Sequence, residues 1–119
     1  MQMTIRDLVT YLDAQVLLGE QFLDHPVESA CGSDLMSDVL AFVKDKTVLI
    51  TGLTNTHVIR TAEMLDITCI VFSRGKVPGE EVVEMARERD IAVLTTKHTM
   101  YVTCGILYAH GLPGNAKKA

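Results

Sequence analysis

Three short runs of β-branched and other apolar residues recur along the chain, Val48 to Thr51, Cys69 to Ser73 and Ala92 to Thr95, with a helix-period segment in each gap. That alternation leaves few folds open. Strands so short and so uniformly apolar are buried on both faces, and the helices between them make the crossovers of βαβ units and a parallel sheet. The first crossover, about Thr56 to Leu65, is expected to bury Val58, Ile59, Ala62 and Leu65. The second, about Gly79 to Arg89, is expected to bury Val82, Val83, Met85 and Ala86. It places Glu80 and Glu81 at its positive end and Arg87 and Arg89 at its negative end, as the helix dipole favours.

Elements on either side complete the pattern. From about Thr4 to Asp13, Ile5, Leu8, Val9 and Leu12 share one helix face. Val16 to Leu18 reads as a strand, Gly19 to His25 as a turn region and Pro26 to Cys31 as an extended piece, together predicting a hairpin or two adjacent edge strands. Ser33 and Asp34 are N-cap types ahead of a helix from about Leu35 to Lys44, whose expected buried side is Leu35, Met36, Val39, Leu40 and Val43. A last helix, about Thr99 to His110, carries Met100, Cys104, Leu107 and Tyr108 on one stripe and stops at Gly111-Leu112-Pro113. The expected fold is α/β, a three-layer α/β/α sandwich with a mainly parallel central sheet, an N-terminal helix and short strands. It forms a single domain over 1–113, with a disordered tail over 114–119.

A chain of 119 residues buries roughly two-thirds of its unfolded surface, enough for a core without disulfides or a structural metal. The three cysteines, Cys31, Cys69 and Cys104, form no CxxC pair and lie in apolar surroundings, which suits small core side chains in a reducing compartment. No apolar run reaches the roughly 18 residues of a membrane span, and the expected location is cytoplasmic. A net charge of −4, three tyrosines, three phenylalanines and no tryptophan argue against nucleic acid as a partner. No two histidines show the i, i+4 spacing of a helical metal site, and no metal or catalytic residue is assigned. GxxxxGK[ST], GxGxxG and GxSxG are all absent, so catalysis is disfavoured.

In an open parallel sheet the loops leaving the strand C-termini gather at one edge, where backbone amides and helix N-termini converge. Here those loops are small and polar: Cys31-Gly32-Ser33-Asp34, then Thr51-Gly52-Leu53-Thr54-Asn55-Thr56, Ser73-Arg74-Gly75-Lys76 and Thr95-Thr96-Lys97-His98-Thr99. Ser33, Asp34, Thr51, Gly52, Thr54, Asn55, Thr56, Ser73, Arg74, Gly75, Thr95, Thr96 and His98 are the candidate ligand-binding residues. Thr54 or Asn55 would cap its helix. Arg74, between Ser73 and Gly75, is placed either for bidentate anion contact or as a solvated surface arginine. The same residue types cap and turn any strand-to-helix junction, so their coincidence on one edge, rather than any single loop, points to an anionic ligand.

Residues 48–107, "VLITGLTNTHVIRTAEMLDITCIVFSRGKVPGEEVVEMARERDIAVLTTKHTMYVTCGIL", resemble the DRTGG domain, and the preceding "TIRDLVTYLDAQVLLGEQFLDHPVESACGSDLMSDVL" resembles its N-terminal half. Leu53 with Thr54 or Asn55 stands where the family has its acid and arginine, and Ser73-Arg74-Gly75 stands for TGG. The resemblance implies a three-layer α/β fold related to the N-terminal domain of HPr kinase/phosphatase. Such domains occur beside CBS domains, in phosphotransacetylases and as stand-alone proteins, some accompanying iron hydrogenases of anaerobes. It further implies a regulatory role, responses to adenine nucleotides in CBS-linked members, and homodimers. A serine-kinase label does not follow, because the kinase active site belongs to a separate P-loop domain. The expected function is thus a non-catalytic regulatory or sensor domain binding a small anionic ligand, an adenine nucleotide among the candidates, with no cofactor assigned. An adaptor for a redox enzyme such as a hydrogenase is the alternative, and a weak enzyme acting on a phosphorylated metabolite is third.

Overall fold

The computed structural model describes residues 2–43 and 46–114. Thr4 closes a two-residue strand, β1 (Met3–Thr4), and opens helix α1 (Ile5–Leu12) through a reciprocal capping box. Its hydroxyl accepts the Asp7 amide at 3.4 Å while the Asp7 carboxylate accepts the Thr4 amide at 2.9 Å. The outer residues of the predicted span, Thr4 and Asp13, are therefore caps.

Strands β2 (Gln15–Leu18), β3 (Pro26–Val27) and β4 (Ser29–Gly32) follow, with a 3-10 turn at Glu20–Phe22 between the first two. They do not form the predicted hairpin or adjacent edge strands. The five-stranded sheet runs in the order β2-β7-β6-β5-β4, so β2 and β4 occupy opposite edges. β2 pairs antiparallel with β7, β4 pairs parallel with β5, and β3 pairs with β1 in a separate two-stranded sheet. The long-range pairing of β2 with β7 carries the chain across the sheet, and Pro26, which has no amide to donate, sits on a short two-stranded edge.

From β4 onward the chain alternates: α2 (Met36–Phe42), β5 (Thr47–Thr51), α3 (Thr56–Met64), β6 (Cys69–Phe72), α4 (Glu80–Glu88), β7 (Ala92–Thr95) and α5 (Met100–Ala109). β4, β5, β6 and β7 are mutually parallel, as the spacing of apolar runs predicts. Successive side chains on these strands serve opposite faces. Leu49, Ile70, Phe72 and Val93 enter one core with Val39, Val58, Ile59, Ala62, Val82 and Ala86 from α2, α3 and α4. Val48, Ile50, Val71 and Leu94 enter the other with Ile5, Leu8, Leu12 and Leu107 from α1 and α5. The result is the expected α/β/α sandwich.

Two predicted helix faces are corrected. On α2, Val39 and Val43 are buried but Leu35 and Leu40 are exposed, because this short helix at the sheet edge covers the core on one side only. The predicted C-terminal residue of that helix, Lys44, lies outside the described residues. On α5, Leu107 is buried and Met100 and Cys104 are half-buried, whereas Tyr108 points to solvent. The stop after α5 follows the sequence: Gly111, at φ 99°, donates to Tyr108 O, and Leu112 donates to Leu107 O with its side chain buried. Gly114 does not belong to a disordered tail, since it bridges Ala30 in parallel register; residues 115–119 lie outside the described region.

Candidate functional site

The four parallel strands deliver their loops to one end of the sheet. After β6 the chain turns to α4 on one face, and after β7 it turns to α5 on the other. That divergence is a topological switch point, where ligands of open α/β sheets settle.

The junction after β5 holds a carboxylate, and it is the chain's own. Asp34 Oδ1 accepts the Thr51 hydroxyl at 2.9 Å and the Gly52 amide at 2.7 Å. Asp34 therefore does not cap α2, as the sequence suggests. Leu35 stands at the N-cap of α2 and supplies no side-chain cap, because two hydrogen bonds to the Asp34 carboxylate outweigh one capping bond. Ser33 closes its own turn, its hydroxyl accepting the Leu35 amide at 3.0 Å. A β-carbon at Gly52 would lie 3.7 Å from both Asp34 carboxylate oxygens and from Ser73 Oγ, so Gly52 is the open floor between those side chains.

Asn55 caps α3 by accepting the His57 amide at 3.0 Å, settling the choice between Thr54 and Asn55. Asn55→Ala is expected to lower stability by about 1 kcal/mol, read as a lower urea midpoint at unchanged slope. Thr54 and Thr56 are half-exposed on the same turn.

The loops after β6 and β7 are stitched together. Arg74 and Gly75 both take left-handed backbone angles, φ 58° and 68°. In that tight turn the Arg74 amide donates to His98 O and the Gly75 amide to Thr96 O, each at 2.7 Å. Thr95 Oγ1 donates to Lys76 O at 2.7 Å, and Thr96 Oγ1, buried, donates to Leu12 O at 2.9 Å. Thr99 caps α5 through the Val102 amide, leaving His98 half-exposed in the loop before it.

What remains open at this pole is charge. Arg74, Lys76 and Lys97 are exposed, and among the described residues none has an acidic partner. Elsewhere Arg6 pairs with Asp24, Lys46 with Glu28, Arg87 with Glu84 and Arg89 with Glu63. Lys76 and Lys97 were outside the sequence candidates, although cations in strand-end loops are a signal legible in the sequence.

Burial holds all three thiols protonated: Cys69 is pushed up to about 12, and Cys31 and Cys104 are raised, Cys31 also by the neighbouring Cys104 and Asp38. Among the described residues no three His, Cys, Asp or Glu side chains cluster as metal ligands, and no helix is long and apolar enough to cross a membrane. An apolar groove of about 670 Å³ runs along α5, β4 and residues 112–114, apart from the loops after β6 and β7.

Fold and pole together define a small α/β domain whose strand-end loops form a basic cap. The chain belongs to the DRTGG domain family, whose model matches residues 7–109. Among solved structures it is similar to the CBS and DRTGG domains of the regulatory region of Clostridium perfringens pyrophosphatase, complexed with the activator diadenosine tetraphosphate. The TM-score is 0.74 at 18% identity, over 94% of this chain and 48% of that one, so this chain spans about half its length and the likeness is one of fold. No curated protein matches.

Proposed function

We propose that this chain is a non-catalytic regulatory domain that senses a small anion, a nucleotide or other phosphorylated metabolite, at the C-terminal edge of its sheet. The observation that carries the reading is the gathering of Arg74, Lys76 and Lys97, without acidic partners among the described residues, on two loops joined by two backbone hydrogen bonds. Asp34 already occupies the Gly52 amide, so an incoming phosphate would be repelled there and drawn toward the β6 and β7 loops. In this reading Arg74, Gly75 and His98 face the ligand. Ser33, Asp34, Thr51, Gly52, Thr54, Asn55, Thr56, Ser73, Thr95 and Thr96 shape and hold the loops around it. The solved relative carries an adenine dinucleotide in its regulatory region, which supports adenine nucleotides as the first ligands to try.

Calorimetric titration with AMP, ATP, diadenosine tetraphosphate and inorganic phosphate tests this. The best of these should bind wild type, weaken with added salt, and lose about 1.5 to 3 kcal/mol of affinity in Arg74→Ala, the range for hydrogen bonds to charged groups. Equal affinities in wild type, Arg74→Ala and Lys97→Ala, or no binding by any probe, would overturn the reading. ATP incubated with acceptor proteins should yield no phosphate transfer.

A second reading, an adaptor for a redox enzyme, is favoured by the apolar groove along α5. Co-migration with a purified iron hydrogenase, abolished by Tyr101→Lys, would establish it.

A further inference from the structure

Between the ends of β5 and β6 lie polar atoms that the chain itself does not use. Ser73, at the end of β6, is only 2% exposed, yet its hydroxyl has no hydrogen-bond partner among the described residues. Its neighbours along the strand ends are paired: Thr51 with Asp34, Thr95 with Lys76 O and Thr96 with Leu12 O. Buried hydroxyls are normally paired, so this one calls for a partner from outside the chain. Asp34 presents a second free atom. Its Oδ1 takes both the Thr51 hydroxyl and the Gly52 amide, which leaves Oδ2, on an exposed residue, without a hydrogen bond or ion pair among the described residues. A β-carbon on Gly52 would stand 3.7 Å from that oxygen and from Ser73 Oγ, so the glycine keeps the gap between them open. Those are ordinary contacts and Gly52 has no positive φ, so the chain's own packing does not require glycine there.

We infer that this gap holds sugar hydroxyls of the ligand whose phosphate the nearby cations hold, which makes the ligand a phosphorylated sugar: the ribose of a nucleotide or a free sugar phosphate. The inference rests on the anion site proposed above, and it gives Asp34 and Ser73 a direct contact in addition to their part in shaping the loops. Chemistry selects hydroxyls. Asp34 Oδ2, ionised, only accepts, whereas the Ser73 hydroxyl donates or accepts, so a vicinal diol can pair with both at once. A phosphate in the gap would face the carboxylate, and an ammonium group would add a fourth cation beside Arg74, Lys76 and Lys97. Position agrees. Ser73 N donates to Thr51 O and Arg74 N to His98 O, so these consecutive residues carry the site from the Gly52 gap on one side to the Lys97 loop on the other. Two strand spacings separate those loops, about 10 Å, room for a sugar ring and its phosphate side by side.

Calorimetric titration of the full chain tests it with two matched pairs: AMP against 2′,3′-dideoxy-AMP, and ribose 5-phosphate against 2-deoxyribose 5-phosphate. In at least one pair the intact diol should bind about tenfold tighter than its deoxy partner, because a hydrogen bond to a charged acceptor is lost with the hydroxyl. Asp34→Asn keeps an oxygen for Thr51 and Gly52 but puts an amide donor where Oδ2 was, so the preference for the diol should fall toward one. Ser73→Ala should reduce the preference about threefold, and it should not lower the melting temperature, because its hydroxyl bonds nothing within the chain. AMP binding tighter than ribose 5-phosphate assigns the site to nucleotides, and the reverse order assigns it to sugar phosphates; either supports the inference. Equal binding within both pairs, weakened by Arg74→Ala, overturns this inference and leaves the anion site standing. No binding by any of the four compounds overturns both.

Discussion

Gly19→Ala is expected to destabilise the protein by about 3 kcal/mol, the sum of about 1 to 2 for a left-handed backbone and about 1 to 3 for overpacking. Gly19 follows β2 at φ 102°, buried against the start of β7. A β-carbon there would come within 2.8 Å of both Cα and Cβ of Ala92, and backbone cannot yield as a flexible side chain does. The strand that gives way is β2, which pairs only with β7 and is the one antiparallel member of the main sheet. Gly111 provides the control. It also has a positive φ, 99°, but its β-carbon would meet nothing within 4 Å, so Gly111→Ala should show the conformational penalty alone, about 1 kcal/mol. Urea midpoints of the two variants measure the difference. Equal losses would show that the approach to Ala92 is relieved without cost.

Alkaline pH should unfold the protein through Cys69. Its thiol, fully buried on β6, is pushed up from 9.0 to about 12 by burial alone. Below pH 9 the thiol is protonated in both folded and unfolded chains, and this group has no effect on stability. As pH rises past 9 the unfolded chain releases the proton while the folded chain keeps it, so stability falls by about 1.4 kcal/mol per unit until the folded value is reached. At pH 10.5 the loss from this thiol is about 2 kcal/mol, with Cys31 and Cys104 adding in the same direction. The informative quantity is the slope of stability against pH in wild type relative to Cys69→Val, since the two proteins share every other titratable group. The variant should be flatter above pH 9, and parallel slopes would show that Cys69 reaches solvent before it ionises.

The sequence by itself determined what is local. Apolar runs at 48, 69 and 92 with helix-period segments between them define parallel βαβ units, and each of α3, α4 and α5 forms within a residue of its expected span. Asn55, one of two caps expected for α3, does cap it, and Gly111 with Leu112 ends the last helix as expected, because such bonds reach amides only a few residues away. Tertiary structure alone decided the rest, wherever one side chain or strand has several partners of similar chemistry. Alternating or apolar patterning says that Val16 to Leu18 is a strand but not which edge it joins, since every strand offers the same backbone donors and acceptors. Asp34 has the composition of a helix cap, yet the end of β5 brings Thr51 and the Gly52 amide within 3 Å of its carboxylate. The hydroxyls of Thr95 and Thr96 turn to Lys76 O and Leu12 O, the latter in a segment more than eighty residues earlier in the chain. Those choices depend on which groups the packed sheet places a hydrogen bond apart, a distance set by the three-dimensional register of β4 to β7 and not by spacing along the chain.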